Sequence, residues 1–365
     1  MKSGKIRKIG ILTAGGDCPG LNAVIRAATK TAIQAYGWSV FGIEDGYAGL
    51  IEGRGHELTY EAVSGILVQG GTILGTSNRA NPFRTPVVEG RKVRYVSRTK
   101  EALRNFREWG LDALLTIGGD GTLSIAHKLS KLGVPVVGIP KTIDNDLSGT
   151  DFTFGFDSAV TIATEAIDRL HTTAAAHHRI MILEVMGRHA GWIALHAGSA
   201  GGADVILIPE IPFSMKRVRD AVIRRARYGK RFSLVCVAEG AREKGGKVIV
   251  QKHDLSNPYP EKLGGVGEYL AERIEKSCGL ETRAAKLGHV QRGGSPTSFD
   301  RNLGTLFGAY ATELVSEKRF GEMVCLQGMK VRSIPILDAV KNLKTVPPDH
   351  YLIQTGESIG VCFGR

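Results

Sequence analysis

Cysteine is scarce, with 5 in 365 residues. The five, Cys18, Cys236, Cys278, Cys325 and Cys362, are scattered, odd in number and without a CxxC pair. That speaks against a disulfide framework and fits reduced thiols in a cytoplasmic protein. No apolar run approaches the roughly 20 residues of a membrane-spanning helix. The opening MKSGKIRKIGILTAGG is basic but passes at once into a strand and a glycine turn. It lacks the apolar core and cleavage site of a signal peptide, so a cytoplasmic location is expected. Neither GxGxxG nor GxxxxGK[ST] occurs, which removes the commonest dinucleotide and P-loop signatures. RNA-binding and zinc-finger signatures, low-complexity segments, coiled coils and short repeats are also missing.

What is present is basic and rich in glycine. The net charge is +12, with 42% apolar residues, 23% charged residues and 47 glycines. The apolar and charged fractions are those of a globular protein, and the length suits two lobes better than one core. Basic residues concentrate in RKVRYVSRTK (91–100) and MKRVRDAVIRRARYGKR (215–231). The second has helical spacing, with Val218, Ala221, Val222 and Ala226 inward. A basic surface can attract nucleic acid, membrane or small anions. Without nucleic-acid motifs or a membrane segment, phosphorylated metabolites are the economical partner.

Strand-like runs alternate with helical ones. IGILTA (9–14), WSVFGI (38–43), DALLTIGG (112–119) and VPVVGI (134–139) read as strands. Residues 21–36, 99–110 and 123–133 read as helices. Beyond them, 159–175 and 190–200 read as helices, and 179–185, 204–208 and 231–240 as strands. This alternation predicts an α/β fold with parallel sheets. No linker stands out, so two lobes sharing a broad cleft are expected.

Polar turns fall where strands end, which is where open α/β sheets bind ligands. ILTAGGDCPGLN places Gly15 and Gly16 between a strand and its helix, where backbone N–H groups favour phosphate. TIGGDGTL places Gly119, Asp120 and Gly121 at another such turn. Asp120 there can hold Mg²⁺ beside nucleotide phosphates or cap the helix. GIPKTIDNDL ends a buried strand with Lys141, Asp144 and Asp146. One aspartate can take a hydroxyl proton while the other helps hold metal. Both are also ordinary turn formers, but Lys141 at a buried strand end asks for a reason. Arg79, in LGTSNR after a GG pair, is a candidate to meet transition-state charge, and Arg188, Glu239, Arg283, His289 and Arg292 sit in further turns and strand ends. Arg and His there can clamp a sugar phosphate, and Glu239 can accept sugar hydroxyls.

Together these turns are similar to the 6-phosphofructokinase family, the ATP- or pyrophosphate-dependent kinases of fructose 6-phosphate. The resemblance runs in order through GGDCPGLN, DGYAGL, GTILGTSNR, GGDGTL, PKTIDND, HHRIMILEVMGRHAG, AEG and GHVQRGGSPTSFDR. It implies two similar Rossmann-like lobes with mainly parallel sheets and a cleft between them. The donor lobe is expected at 1–155 plus 291–341 and the sugar-phosphate lobe at 156–290 plus 342–365. Gly15, Gly16, Tyr47, Arg79, Gly119, Asp120, Gly121, Thr122 and Lys141 would line the ATP site, with Asp120 on Mg²⁺. Asp144 would be the general base for the sugar 1-hydroxyl, with Asp146 beside it. Thr142 and Arg188 would position and neutralise the transferred group. Met186, Gly187, Arg188, Glu239, His289 and Arg292 would hold fructose 6-phosphate, joined by Arg179 and Arg283 across a subunit boundary. Family members form oligomers, commonly tetramers, so a homotetramer is expected. Some carry an allosteric effector site, for which Arg26 and Lys30 match the start while positions near 169 and 243–247 depart.

The donor turns on two positions. Pyrophosphate-using relatives carry a second aspartate where this chain has Gly121, and glycine leaves room for ATP. Lys141 stands where many ATP users have glycine and pyrophosphate users have lysine. Steric exclusion is the stronger argument, so ATP is expected and pyrophosphate is the alternative. Other ketose phosphates, such as sedoheptulose 7-phosphate, stay open as acceptors. A non-enzymatic sugar-phosphate or nucleic-acid binder is the reading from another class; the intact Asp144, Asp146 and Arg188 set opposes it.

Overall fold

A computed structural model describes residues 5–89, 92–227, 229, 231–253 and 261–365. The start of the basic opening (1–4) and positions 91, 228 and 230 of the two basic stretches lie outside the described residues.

The first part of the chain runs β1 (Lys8–Thr13), α1 (Leu21–Tyr36), β2 (Ser39–Ile43), α2 (Tyr47–Glu52), β3 (Gly55–Glu57), β4 (Thr85–Glu89) and β5 (Lys92–Val96). It continues with α3 (Thr99–Glu108), β6 (Ala113–Gly118), α4 (Asp120–Lys131) and β7 (Val136–Pro140). The second part runs α5 (Phe156–His177), β8 (Ile180–Val185), α6 (Trp192–Ala200), β9 (Val205–Leu207), α7 (Met215–Arg227) and β10 (Ser233–Ala238). It continues with β11 (Val250–His253), β12 (Glu261–Leu263), α8 (Val266–Cys278) and β13 (Thr282–Lys286). The chain closes with α9 (Ser298–Ser316), β14 (Glu322–Gln327), β15 (Lys330–Pro335), α10 (Ile336–Val340) and α11 (Tyr351–Ser358).

Two main sheets form. The larger has the order β15-β14-β7-β6-β1-β2-β3 and the smaller β13-β8-β10-β9. Both are parallel except at the edges β3 and β15 of the larger sheet, which pair antiparallel. Strands β6, β7 and β10 are buried throughout, as expected where helices cover both faces of a sheet. One apolar core runs through both lobes, from Val24 and Phe307 of α1 and α9 to Ile167 and Leu195 of α5 and α6. A second core covers the other face of the larger sheet, and a third packs α7 and α8 on the smaller one.

The strand order locates the ligand crevice. From β1 the chain builds outward to β2 and β3, then returns through β6 and β7 on the other side. The switch point lies between β1 and β6, and crevices open there beyond the carboxyl ends. Gly15–Gly16, Gly119–Asp120 and Lys141–Asp146 follow β1, β6 and β7. On the smaller sheet Met186–His189, Glu239 and Gly288–Arg292 follow β8, β10 and β13. The two carboxyl edges meet across a cleft of about 990 Å³ lined from both sides.

The basic helix forms as expected, but over Met215–Arg227, with Val218 and Val222 buried. Helix α4 begins at Asp120, three residues before the expected 123. Asp120 and Gly121 are weak helix formers, so pattern alone hides that first turn. Helix α9 contains Gly304 and Gly308 because α1 crosses tightly there. A Cβ at Gly308 would stand 2.5 Å from the carbonyl oxygen of Val24.

Candidate active site

The phosphate-facing turns are shaped by what approaches them. Gly15 has φ +85, a conformation that favours glycine. At Gly16 a Cβ would lie 1.8 Å from the Arg292 guanidinium, so a side chain there would expel that arginine. Lys141, buried, donates to the Gly16 carbonyl. Its ammonium therefore braces the Gly15–Gly16 turn, and burial lowers its pKa. Tyr47 supports the next turn, donating to the Thr122 carbonyl at 2.8 Å. Asp120 is not the helix cap: Gly119 occupies that position and Asp120 lies in the first turn of α4. The helix N-terminus at this turn favours anions.

The turn after β7 is fixed by its middle residue. Asn145 adopts φ 49, tolerable for asparagine. Its amide donates to the Asp151 carbonyl at 3.2 Å and accepts the Thr153 N–H at 3.1 Å. Thr142 Oγ1 accepts the Asp144 N–H at 3.1 Å. Asp144 and Asp146 both reach the cleft. Burial raises both carboxyl pKa values. Arg292 opposes the rise at Asp144, and mutual repulsion with Asp144 adds to it at Asp146. Asp144 Oδ1 is buried with no hydrogen-bond partner. A buried acceptor left unpaired is costly and is suited to an incoming proton.

The opposite wall carries Met186, Arg188, Glu239, His289 and Arg292. Gln291, fully buried, accepts the Met186 N–H at 3.3 Å and ties two of these loops together. Burial raises the Glu239 pKa, against the pull of Lys286 and Arg188. Gly187 does not line the cleft. It takes φ +139 and its carbonyl accepts the Gly240 N–H at 3.0 Å, so it shapes the loop through the backbone. Arg179 and Arg283 do not reach this chain's cleft. They sit at the amino ends of β8 and β13 and share Glu281, each at 2.7 Å. Arg26 and Lys30 lie on α1 outside the cleft, with Lys30 Nζ 3.7 Å from the centre of the Tyr60 ring.

Sequence reasoning missed Asp17, Asn78, Gln251, Lys252, Lys262 and Lys286, all of which line the cleft. It also missed Lys344, whose ammonium donates to the carbonyls of Thr150 (2.9 Å) and Asp151 (2.8 Å). The Lys344 N–H donates to the Asp146 carbonyl at 2.8 Å. Its own carbonyl accepts from Trp192 Nε1 at 2.8 Å, so this segment bolts the aspartate turn to the other lobe. A single lysine in NLKTVP carries no local signal of that role.

Glycine turns at strand ends, a helix N-terminus, clustered carboxylates and facing arginines define a phosphotransferase for small phosphorylated substrates, built on two α/β lobes. The phosphofructokinase family pattern matches residues 8–315. The chain belongs to the phosphofructokinase family. It is 50% identical over 363 residues to the ATP-dependent 6-phosphofructokinase of Chloroflexus aurantiacus, covering 99% of this chain and 98% of that one. It is 51% identical over 358 residues to the pyrophosphate–fructose 6-phosphate 1-phosphotransferase of Streptomyces coelicolor, covering 98% of this chain and all (100%) of that one. Among solved structures, the phosphofructokinase of Pichia pastoris superposes with a TM-score of 0.77 at 36% identity. The match covers 93% of this chain and 36% of the longer yeast chain. Among the described residues, no helix is long and apolar enough to cross a membrane.

Proposed function

We propose that this phosphofructokinase moves the terminal phosphoryl group of ATP to the 1-hydroxyl of fructose 6-phosphate, giving fructose 1,6-bisphosphate and ADP. The observation that carries the reading is Asp144, whose unpartnered buried oxygen faces a cleft with donor turns on one wall and Arg188 and Glu239 on the other. Phosphoryl transfer asks mainly for positioning and charge neutralisation. Asp144 takes the hydroxyl proton as the sugar oxygen attacks phosphorus and the bond to ADP breaks. Thr142 and Arg188 hold the moving group, and Arg79, Lys141 and the α4 N-terminus neutralise the donor. Met186, Glu239, His289 and Arg292 hold the sugar phosphate. The lobe carrying the larger sheet, 1–155 plus 291–341, takes the donor, and the remainder takes the sugar.

The residues fit Mg²⁺. The described residues contain no ready-made cluster of three metal-ligating side chains. Mg²⁺ is ordinarily held by one or two carboxylates plus substrate phosphates. Asp120 would hold it, near enough to Asp144 and Asp146 to raise their pKa values. When bound it supplies neutralisation of phosphate charge.

Gly121 supports ATP. It lines the cleft, and a Cβ there meets nothing within 4 Å. An aspartate would thus project freely into space the nucleotide needs. Pyrophosphate is the second reading, favoured by Lys141 beneath the glycine turn and by the Streptomyces relative's name. Separate assays with MgATP and with pyrophosphate decide it, and faster turnover with pyrophosphate reverses the assignment. Arg179 and Arg283 complete a neighbouring subunit's cleft in an oligomer, a tetramer by the family's habit. The five free cysteines and metabolite substrates fit a cytoplasmic enzyme.

A further inference from the structure

Helices α7 and α8 cover one face of the smaller sheet, and that face is apolar until its strands reach their carboxyl ends. Ile182 of β8 and Val235 and Val237 of β10 belong to the core there, and Ala284 of β13 packs against it. Side chains alternate along a strand, so the next residues on the same face are Glu184, Glu239 and Lys286. The parallel register sets Lys286 and Val237 level with Glu184. The ladder runs one residue past β10, where the Glu239 N–H donates to the Val185 carbonyl at 2.9 Å. Glu239 thus stands two residues beyond that level, at the cleft, which it lines together with Lys286.

The Lys286 ammonium is built into this edge. It lies 3.3 Å from Glu184 Oε1 and donates to Gln251 Oε1 at 3.3 Å. Glu184, buried, is itself fixed by the Gly265 N–H at 3.0 Å and the Gly267 N–H at 2.8 Å, at the start of α8. Gly264 leaves the space: it takes φ +129, and a Cβ there would stand 2.0 Å from Lys286 Nζ. Burial pushes the Glu239 carboxyl towards its neutral form. Lys286 opposes that most strongly, followed by Arg188; Glu184 adds to it, and Arg292 opposes it more weakly.

We propose that Lys286 is a positioning residue for the sugar: its ammonium, held on Glu184 and Gln251, acts through Glu239 and keeps that carboxylate an acceptor for the sugar's hydroxyls. A carboxylate accepts on both oxygens, whereas a protonated carboxyl gives up part of that capacity. The proposal rests on the reading that the cleft accepts fructose 6-phosphate beside Glu239.

The test titrates full-length enzyme calorimetrically with fructose 6-phosphate, donor absent, between about pH 6 and about pH 9, a range above the ordinary glutamate value. Wild type is compared with Lys286→Met, Lys286→Gln, Lys286→Arg, Glu239→Gln and the double Lys286→Met, Glu239→Gln variant. Removing a nearby cation raises a carboxyl pKa, so more of Glu239 is protonated at a given pH. The Kd of Lys286→Met relative to wild type is therefore near one at the alkaline end and rises as pH falls, towards about tenfold for a shift of one unit. Lys286→Gln, which keeps a donor for Glu184 without the charge, shows the same rise. Lys286→Arg keeps the charge and stays within about threefold of wild type. In the Glu239→Gln background the Lys286→Met change has no further effect, because the group it acts through no longer titrates. A loss of affinity that is the same at every pH overturns the proposal, as does a loss that persists in the Glu239→Gln background. Unchanged affinity in Lys286→Met and Lys286→Gln at all pH values overturns it too. Wild-type enzyme that neither binds fructose 6-phosphate nor turns over with either donor overturns the function reading itself, whereas active wild type with indifferent Lys286 variants removes only the positioning role.

Discussion

Replacing Asp144 with asparagine keeps the shape of the aspartate turn and removes one charge and the proton acceptor. Loss of a positioned general base costs about 10²–10⁴ in rate, or roughly 3–5 kcal/mol of transition-state stabilisation. Substrate contacts survive, so the loss falls on kcat with KM for both substrates little changed. Stability moves the other way. Burial holds the Asp144 carboxyl pKa above its ordinary value, so its ionised form is disfavoured in the fold. That penalty is absent below the unfolded-state pKa and develops as pH rises towards the folded value. At neutral pH Asp144→Asn therefore melts higher than wild type, by roughly 1 kcal/mol for each pKa unit relieved, and the advantage fades in acid. Steady-state kinetics and thermal melts at pH 7.5 and pH 4 (about neutral and about the ordinary aspartate value) read both effects. Near-normal kcat in Asp144→Asn removes Asp144 as the base, and a lower melting temperature at neutral pH refutes the electrostatic reasoning.

Because both carboxyl pKa values are raised, kcat/KM falls as pH drops through a range above the ordinary aspartate value of about 3.9. Full activity down to that value would contradict the burial argument. Gly121→Asp folds and melts like wild type, since a Cβ there meets no neighbour. Its KM for ATP rises by about tenfold or more, as a charge is set beside phosphate, and an unchanged KM refutes the steric account of donor choice. Lys344→Met leaves the Thr150 and Asp151 carbonyls without its ammonium. It lowers stability by about 1–3 kcal/mol and kcat with it, measured by denaturant melts and turnover; unaltered stability and kcat would show that the bolt is idle.

Much of this was legible because apolar period and strand-end chemistry are local. Helix 21–36 is found where expected, the run at 112–119 forms β6 with both ends trimmed, and the run at 134–139 forms β7 shifted to Val136–Pro140. From GGDGTL and PKTIDND, Gly119, Asp120, Gly121, Thr122, Lys141, Thr142, Ile143, Asp144 and Asp146 line the cleft. What stayed hidden depends on distant pairing. The antiparallel edges β3 and β15 are set by where the chain returns, which no periodicity records. Lys141 also donates to the Gly16 carbonyl, 125 residues away, a contact that no local pattern records. Asn145 carries no local signal, yet its φ of 49 and its bonds to the Asp151–Thr153 segment set the turn. Lys252 and Lys262 are ordinary surface lysines in sequence, and only the hairpin register opposes them.

The central claim is transfer from MgATP to the sugar 1-hydroxyl. Phosphorus NMR of the purified enzyme with fructose 6-phosphate and MgATP tests it most directly. The account predicts a new phosphate resonance on carbon 1 growing in step with ADP, and a slower appearance when pyrophosphate replaces MgATP. No bisphosphate, ADP formed without it, or faster formation from pyrophosphate would contradict the account.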